Sequence, residues 1–149
     1  MRATLAEALK TALKAGDKRR TSTLRLIQAA IHDRDIAQRG AGKDPVTDEE
    51  ILQILTKMVK QRQESAKAFE DGNRLELAAQ EREESVIISE YLPKQMSEDE
   101  VRAAARKAIA DVGAESLRDM GRAMAALKER YPGQMDFGKA SGIIKELLQ

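Results

Sequence analysis

Apolar residues recur three and four positions apart along almost the whole chain, the spacing of helices that bury one face. Leu5, Leu9, Ala12 and Leu13 make a first stripe that ends at Gly16, and Asp17 is placed to cap the next helix. Leu24, Ile27, Ile31 and Ile36 carry a second stripe to about Arg39, where Gly40-Ala41-Gly42-Lys43-Asp44-Pro45 breaks it. Thr47 and Glu50 have the spacing of a capping box, in which two side chains satisfy the unpaired donors of a helix start. Ile51, Leu55, Met58, Val59, Ala66 and Phe69 then predict a long third helix up to Asp71-Gly72-Asn73. A fourth, with Leu77, Ala78, Val86, Ile87 and Tyr91, must stop near Pro93.

Beyond Pro93 the elements shorten. Ser97 and Glu100 form a second capping box, and Val101, Ala104, Ala105, Ala108 and Ile109 predict a helix ending before Gly113. Ser116 opens a sixth helix with Leu117, Met120, Met124 and Leu127 on one side, closed by Tyr131-Pro132-Gly133. Asp136 can cap a last helix bearing Ile143, Ile144, Leu147 and Leu148. No segment alternates as a strand does, and no internal repeat occurs. The prediction is an all-α chain: an N-terminal four-helix part over 1–92 and a small three-helix part over 93–149, divided at Leu92-Pro93-Lys94-Gln95-Met96.

Composition fixes the kind of core. The 149 residues are 42% hydrophobic but only 3% aromatic, so the helices must pack through Leu, Ile, Val, Ala and Met. Without cysteine there are no disulfides, zinc-thiolate sites or thiol nucleophiles. The longest apolar runs, such as Ala123–Leu127, fall far short of the ~20 residues that span a bilayer. The N-terminus lacks the apolar run of a signal peptide, and a soluble, cytoplasmic protein is expected.

Charge says more by its distribution than by its sum. The net is +1, which argues for no class of partner. Residues 1–39 hold 9 basic and 4 acidic residues, a net of +5; residues 40–92 hold 7 and 12, a net of −5. Lys18, Arg19, Arg20 and Arg25 concentrate positive charge near the start of the second helix. Two readings compete there: pairing with the acidic third and fourth helices, or contact with phosphates. No aromatic residues interleave, so base stacking is not indicated. In the C-terminal part, Arg118, Arg122, Lys128, Arg130, Lys139 and Lys145 are candidates for a basic surface, with Arg118 and Arg122 one helical turn apart.

Catalytic signatures are missing. His32 is the one histidine, and a di-iron bundle would need paired Glu-x-x-His motifs, so His32 reads as a solvent-facing or partly packed helix residue. Glu81, Glu83, Glu84 and Glu90 read as a solvated acidic face, since paired-carboxylate hydrolysis needs two groups held across a cleft. There is no Gly-x-Ser-x-Gly elbow and no phosphate-cradling P-loop, and no cofactor or metal is expected. The stretch Asp119-Met-Gly-Arg-Ala-Met124 stands out, because Gly121 weakens its helix by roughly 1 kcal/mol relative to alanine. Close packing of a second helix is the favoured explanation, with approach of a phosphate backbone as the other. Gly138-x-x-x-Gly142 likewise suggests a close helix crossing.

The segments "LRLIQAAIHDRDI", "DEEILQILTKMVKQRQES", "EREESVIISEYLPKQMSEDEV" and "GAESLRDMGRAMAALKERYPGQMDFGKASGIIKELL" resemble, in order, the YqeY family. The "EYLPKQMSEDE" junction and the Gly-Ala-x-Ser-x-x-Asp-Met-Gly-x-x-Met signature are the most specific pieces. The family resembles the C-terminal tail of GatB, a subunit of the glutamine-dependent aminoacyl-tRNA amidotransferase, where the tail helps recognise tRNA. The resemblance implies an all-helical, two-part, non-catalytic module that binds tRNA or a tRNA-handling enzyme, with Arg118, Arg122 and Lys139, and a second patch of Lys18, Arg19, Arg20 and Arg25, as candidate phosphate contacts. It also carries an amidotransferase-like label, carbon–nitrogen ligase activity with glutamine as amido-N-donor. The catalytic domain and the glutamine-hydrolysing subunit behind that label have no counterpart here. A third reading is a protein–protein adaptor that uses an apolar Met120/Met124 surface. One departure from the family pattern is Met135, where an alanine usually precedes the Asp before the final helix.

Overall fold

The computed structural model describes residues 1–149 and contains seven α-helices and no strand. In order these are α1 (Arg2–Ala15), α2 (Lys18–Gly40), α3 (Asp48–Asp71), α4 (Leu75–Ser89), α5 (Glu98–Val112), α6 (Met120–Arg130) and α7 (Phe137–Leu148), with a 3₁₀ turn (Leu117–Asp119) leading into α6. Two compact units divide the chain, Met1–Leu92 and Pro93–Gln149. No helix is long and apolar enough to cross a membrane.

Local chemistry sets most helix ends. Thr47 Oγ1 accepts from the Glu50 N–H at 3.2 Å while the Glu50 carboxylate accepts from the Thr47 N–H at 3.2 Å. Ser97 and Glu100 make the same reciprocal pair before α5. Asp17 and Asp136 cap α2 and α7 by accepting from the Arg20 and Gly138 N–H groups. Gly16 and Gly113 close α1 and α5 in the left-handed conformation, at φ 69° and 66°, which glycine adopts without a Cβ clash. The sixth helix starts later than its pattern suggested: Ser116 precedes the 3₁₀ turn, and α6 itself begins at Met120.

In the first unit, α1 packs on α2 and α3 on α4. Leu5, Leu24, Ile27, Ile51, Leu55 and Ile88 are sealed from solvent at its centre. The burial of Thr23 is not legible from hydrophobicity; its hydroxyl donates to the Arg19 carbonyl at 2.8 Å, which removes the cost of taking it out of water. Arg2 joins α1 to α2 and to the loop before α3, donating to both oxygens of Asp35 (2.8 and 2.9 Å) and to the Val46 carbonyl. That guanidinium, with the Val46 N–H, holds the Asp35 carboxyl down at about 2.

Four stripe positions turn out to face water: Leu13, Ile36, Val86 and Leu117 are all exposed. Leu13 lies at the edge of the apolar arc of α1, Ile36 and Val86 lie on the outer faces of α2 and α4, and Leu117 lies in the 3₁₀ turn; spacing alone does not show which apolar positions a neighbouring helix covers. The acidic face over Glu81–Glu90 also needs correcting. Glu84 is buried, with Arg62 Nε 3.1 Å from one oxygen and Arg19 Nη1 3.7 Å from the other.

The second unit packs α5, α6 and α7 against one another. Its core contains Val101, Leu127, Met135 and Ile144 with the alanines Ala105 and Ala123, whose small side chains let three short helices approach closely. Met120 and Met124 are half-buried and pack against this core. Met135 is 3% exposed, so the residue that departs from the family pattern serves as a core side chain. Gly133 and Gln134 accept, through their carbonyls, from the Gln95 side chain (2.7 Å) and the Met96 N–H (2.9 Å). The junction segment and the turn before α7 are thereby tied together.

Burial separates residues that the periodic pattern cannot. Leu55→Ala should cost about 2–5 kcal/mol in chemical denaturation, since Leu55 is fully buried. Ile36→Ala, on the same kind of stripe but 57% exposed, should change stability by less than about 0.5 kcal/mol.

Candidate nucleic-acid interface

The signature around Asp119 forms a clamp. Asp119 accepts from the Glu115 N–H at 2.9 Å and from Arg122 at 2.7 Å. Arg122 also donates to the Val112 carbonyl at 2.8 Å, one of the unpaired acceptors at the end of α5. Asp119 and Arg122 therefore pin the 113–116 loop and fix the start of α6 against the end of α5. The Glu115 N–H, followed by the Arg122 guanidinium, pulls the Asp119 carboxyl down to about 2. Its Asp-x-x-Arg spacing was the available signal in the sequence, hidden because both residues also read as ordinary surface charge.

Beside the clamp, the 3₁₀ turn and α6 together present an outer ridge. Arg118, Gly121, Arg122, Ala125 and Lys128 are all exposed and follow the three- and four-residue spacing of a single face. Apart from its own helix backbone and its two chain neighbours, a methyl group on Gly121 would meet nothing within 4 Å. The expected helix crossing at Gly121 is therefore absent, and the glycine opens onto solvent between two arginines. The crossing expected at Gly138 and Gly142 is not there either; both are exposed, and Gly142 has open space around its Cα.

The other candidate cations are placed elsewhere. Lys139 lies on the first turn of α7, where it lines a groove with Arg102, Glu98 and Glu146 near the start of α5. Arg122 sits at the far end of α5, about 15 Å away along that helix, so Lys139 does not join the α6 ridge. Arg130 is committed to Asp111 at 2.9 Å. In the first unit, Arg19 pairs with Glu83 and Glu84, and Arg20 with Glu90 and Asp17. Intramolecular pairing thus accounts for those two arginines, and the Glu90 pair raises the Arg20 pKa further above its already high value. Lys18 and Arg25 remain exposed, as does His32. No group of acids or histidines is arranged to hold a metal ion.

A helical chain in two compact units, with a clamped α5–α6 connection that displays a cationic ridge, defines a class of small all-α proteins. The chain belongs to the YqeY family: the family model, described as Yqey-like protein, matches residues 2–148. No curated protein matches it.

The clamp makes a sign-definite prediction. A carboxyl whose folded pKa is lowered contributes stability above its unfolded value near 3.9, and loses it as pH falls toward about 2. Asp119→Asn should lower the melting temperature at pH 7, and its difference from the native chain should shrink as pH falls from 4 to 2. Equal differences at both ends would show that ionisation of Asp119 contributes nothing.

Proposed function

We propose that this protein is a non-catalytic tRNA-binding module whose C-terminal unit contacts the sugar–phosphate backbone. The exposed α6 ridge is the observation that carries this reading. Arg118 and Lys128 offer exposed cations on one face, with the clamped Arg122 between them, while Gly121 and Ala125 leave the surface low. Such a surface lets a phosphate backbone approach the helix closely, and guanidinium groups are well shaped to bind phosphate oxygens. The clamp supports the same reading, because it fixes Arg122 instead of leaving it to sample many rotamers. Likeness of the family to the tRNA-recognising tail of GatB points in the same direction.

The adaptor reading draws less support, since Met120 and Met124 are half-buried against the core. The amidotransferase-like label remains a property of larger assemblies with separate catalytic parts. Turnover of glutamine by the purified chain above background would overturn the non-catalytic assignment.

Binding should be measured with total tRNA over a salt series. Two to three phosphate contacts predict a slope of log K against log salt of about −2 to −3. Arg118→Glu with Lys128→Glu should reduce affinity at least about tenfold while leaving the melting temperature unchanged. Gly121→Leu should fold normally and bind more weakly. Normal binding by both variants would place the contact elsewhere or remove it.

A further inference from the structure

The outer face of α2 brings exposed apolar side chains together with exposed charges of both signs. It runs the full 23 residues of the helix and carries two large apolar side chains, Leu26 (45% exposed) and Ile36 (57% exposed). Ser22, Arg25, Ala29 and Asp33 complete the same face and are exposed as well. Neither Arg25 nor Asp33 shares an ion pair with the other, since eight residues along a helix set them about 12 Å apart. Ala29 stands midway between them and at the midpoint of Lys18–Gly40.

The charges of this face are self-complementary under a two-fold axis. If two α2 helices cross antiparallel at Ala29, position i faces position 58 − i of the partner. Arg25 then lies level with the second copy's Asp33, twice, by symmetry. Ser22 meets Ile36, and Leu26 lies level with the second copy's His32. The alanine at the axis allows the helix backbones to approach closely, as isologous helix contacts require. We propose that two copies of this chain associate through the outer faces of α2, antiparallel about Ala29, with Arg25 of each copy paired to Asp33 of the other. The occupant is a second copy because one face carries both halves of the charge match; an unrelated partner would need no such symmetry. This inference uses none of the α6 residues and stands apart from the tRNA reading.

Area sets the expected strength. A helix about 34 Å long with a contact strip about 10 Å wide buries on the order of 700 Å² over both copies, below the ~1,200 Å² of stable interfaces. Association should therefore be weak and reversible, with a dissociation constant in the tens to hundreds of micromolar.

Sedimentation equilibrium of the full chain, from about 5 µM to about 500 µM to bracket that range, tests the proposal. The native chain should shift from monomer to dimer. Arg25→Glu, which sets two acids against each other, should weaken dimerisation about tenfold or more. Arg25→Glu with Asp33→Arg restores the pairing with signs exchanged and should recover affinity to within about threefold. Circular dichroism of both variants should match the native chain. A chain that stays monomeric throughout, a dimer unaffected by Arg25→Glu, or a double variant as weak as the single one overturns the proposal. Loss of tRNA binding by Arg25→Glu in a chain that stays monomeric also overturns it and assigns the face to RNA.

Discussion

The carboxylate of Glu84 is the constraint on which the first unit turns. It is nearly removed from water where α2, α3 and α4 meet, and its two oxygens face Arg62 and Arg19. An ionised group taken out of water without partners costs several kcal/mol, so the two guanidiniums must stay where they are. Arg62 is itself anchored through its contact with the Met58 carbonyl. The start of α2 is thereby held against the α3–α4 hairpin at one level. Beyond that level the hairpin continues on a seam of Ala66 and Ala78, both buried. Arg20 repeats the device one residue later with Glu90. The basic segment of α2 and the acidic α4 are therefore largely the two sides of one internal contact.

The second unit uses a more exposed version of the same logic. Asp119 and Arg122 are charged, but their partners are backbone groups at loop and helix ends as much as each other. What the pair supplies is orientation: the end of α5, the loop after it and the first turn of α6 become one piece. A short helix of eleven residues is marginal by itself, and its position has to come from packing and from such local ties. Leu127 and Ala123 supply the packing, and the clamp fixes the start.

Local chemistry was legible in the sequence, and long-range pairing was legible only as a charge balance between the start of α2 and the acidic third and fourth helices, not partner by partner. The capping pairs Thr47/Glu50 and Ser97/Glu100 act within four residues, so spacing alone identifies them. Helix positions followed from apolar period because burial must favour one face. The exposure of Leu13, Ile36 and Val86 was hidden, because it depends on which apolar positions a neighbouring helix covers. The burial of Glu84 was hidden for the opposite reason: nothing near it in sequence marks it, and its partners lie 22 and 65 residues away. In the candidate interface, Arg118 and Arg122 were identifiable as neighbours. The separation of Lys139 from them required knowing that α7 begins beside the start of α5.

Gly121 sharpens the distinction between residues that serve the fold and residues that do not. A glycine in a helix weakens it, and proteins commonly accept that where a second backbone must come close. Here nothing beyond its own helix backbone and chain neighbours would meet a Cβ at position 121, so the packing explanation is gone while the helical cost stays. Its neighbours in sequence are fully accounted for: Asp119 and Arg122 by the clamp, Met120 and Ala123 by the core. A stretch in which every residue but one has an internal role makes that one the place to look for a contact from outside the chain. The same reasoning separates Arg19 and Arg20, whose charges are answered within the unit, from Arg118 and Arg25, which stand on open faces beside small residues. Counting charges cannot make that separation; asking which charges the fold already uses can.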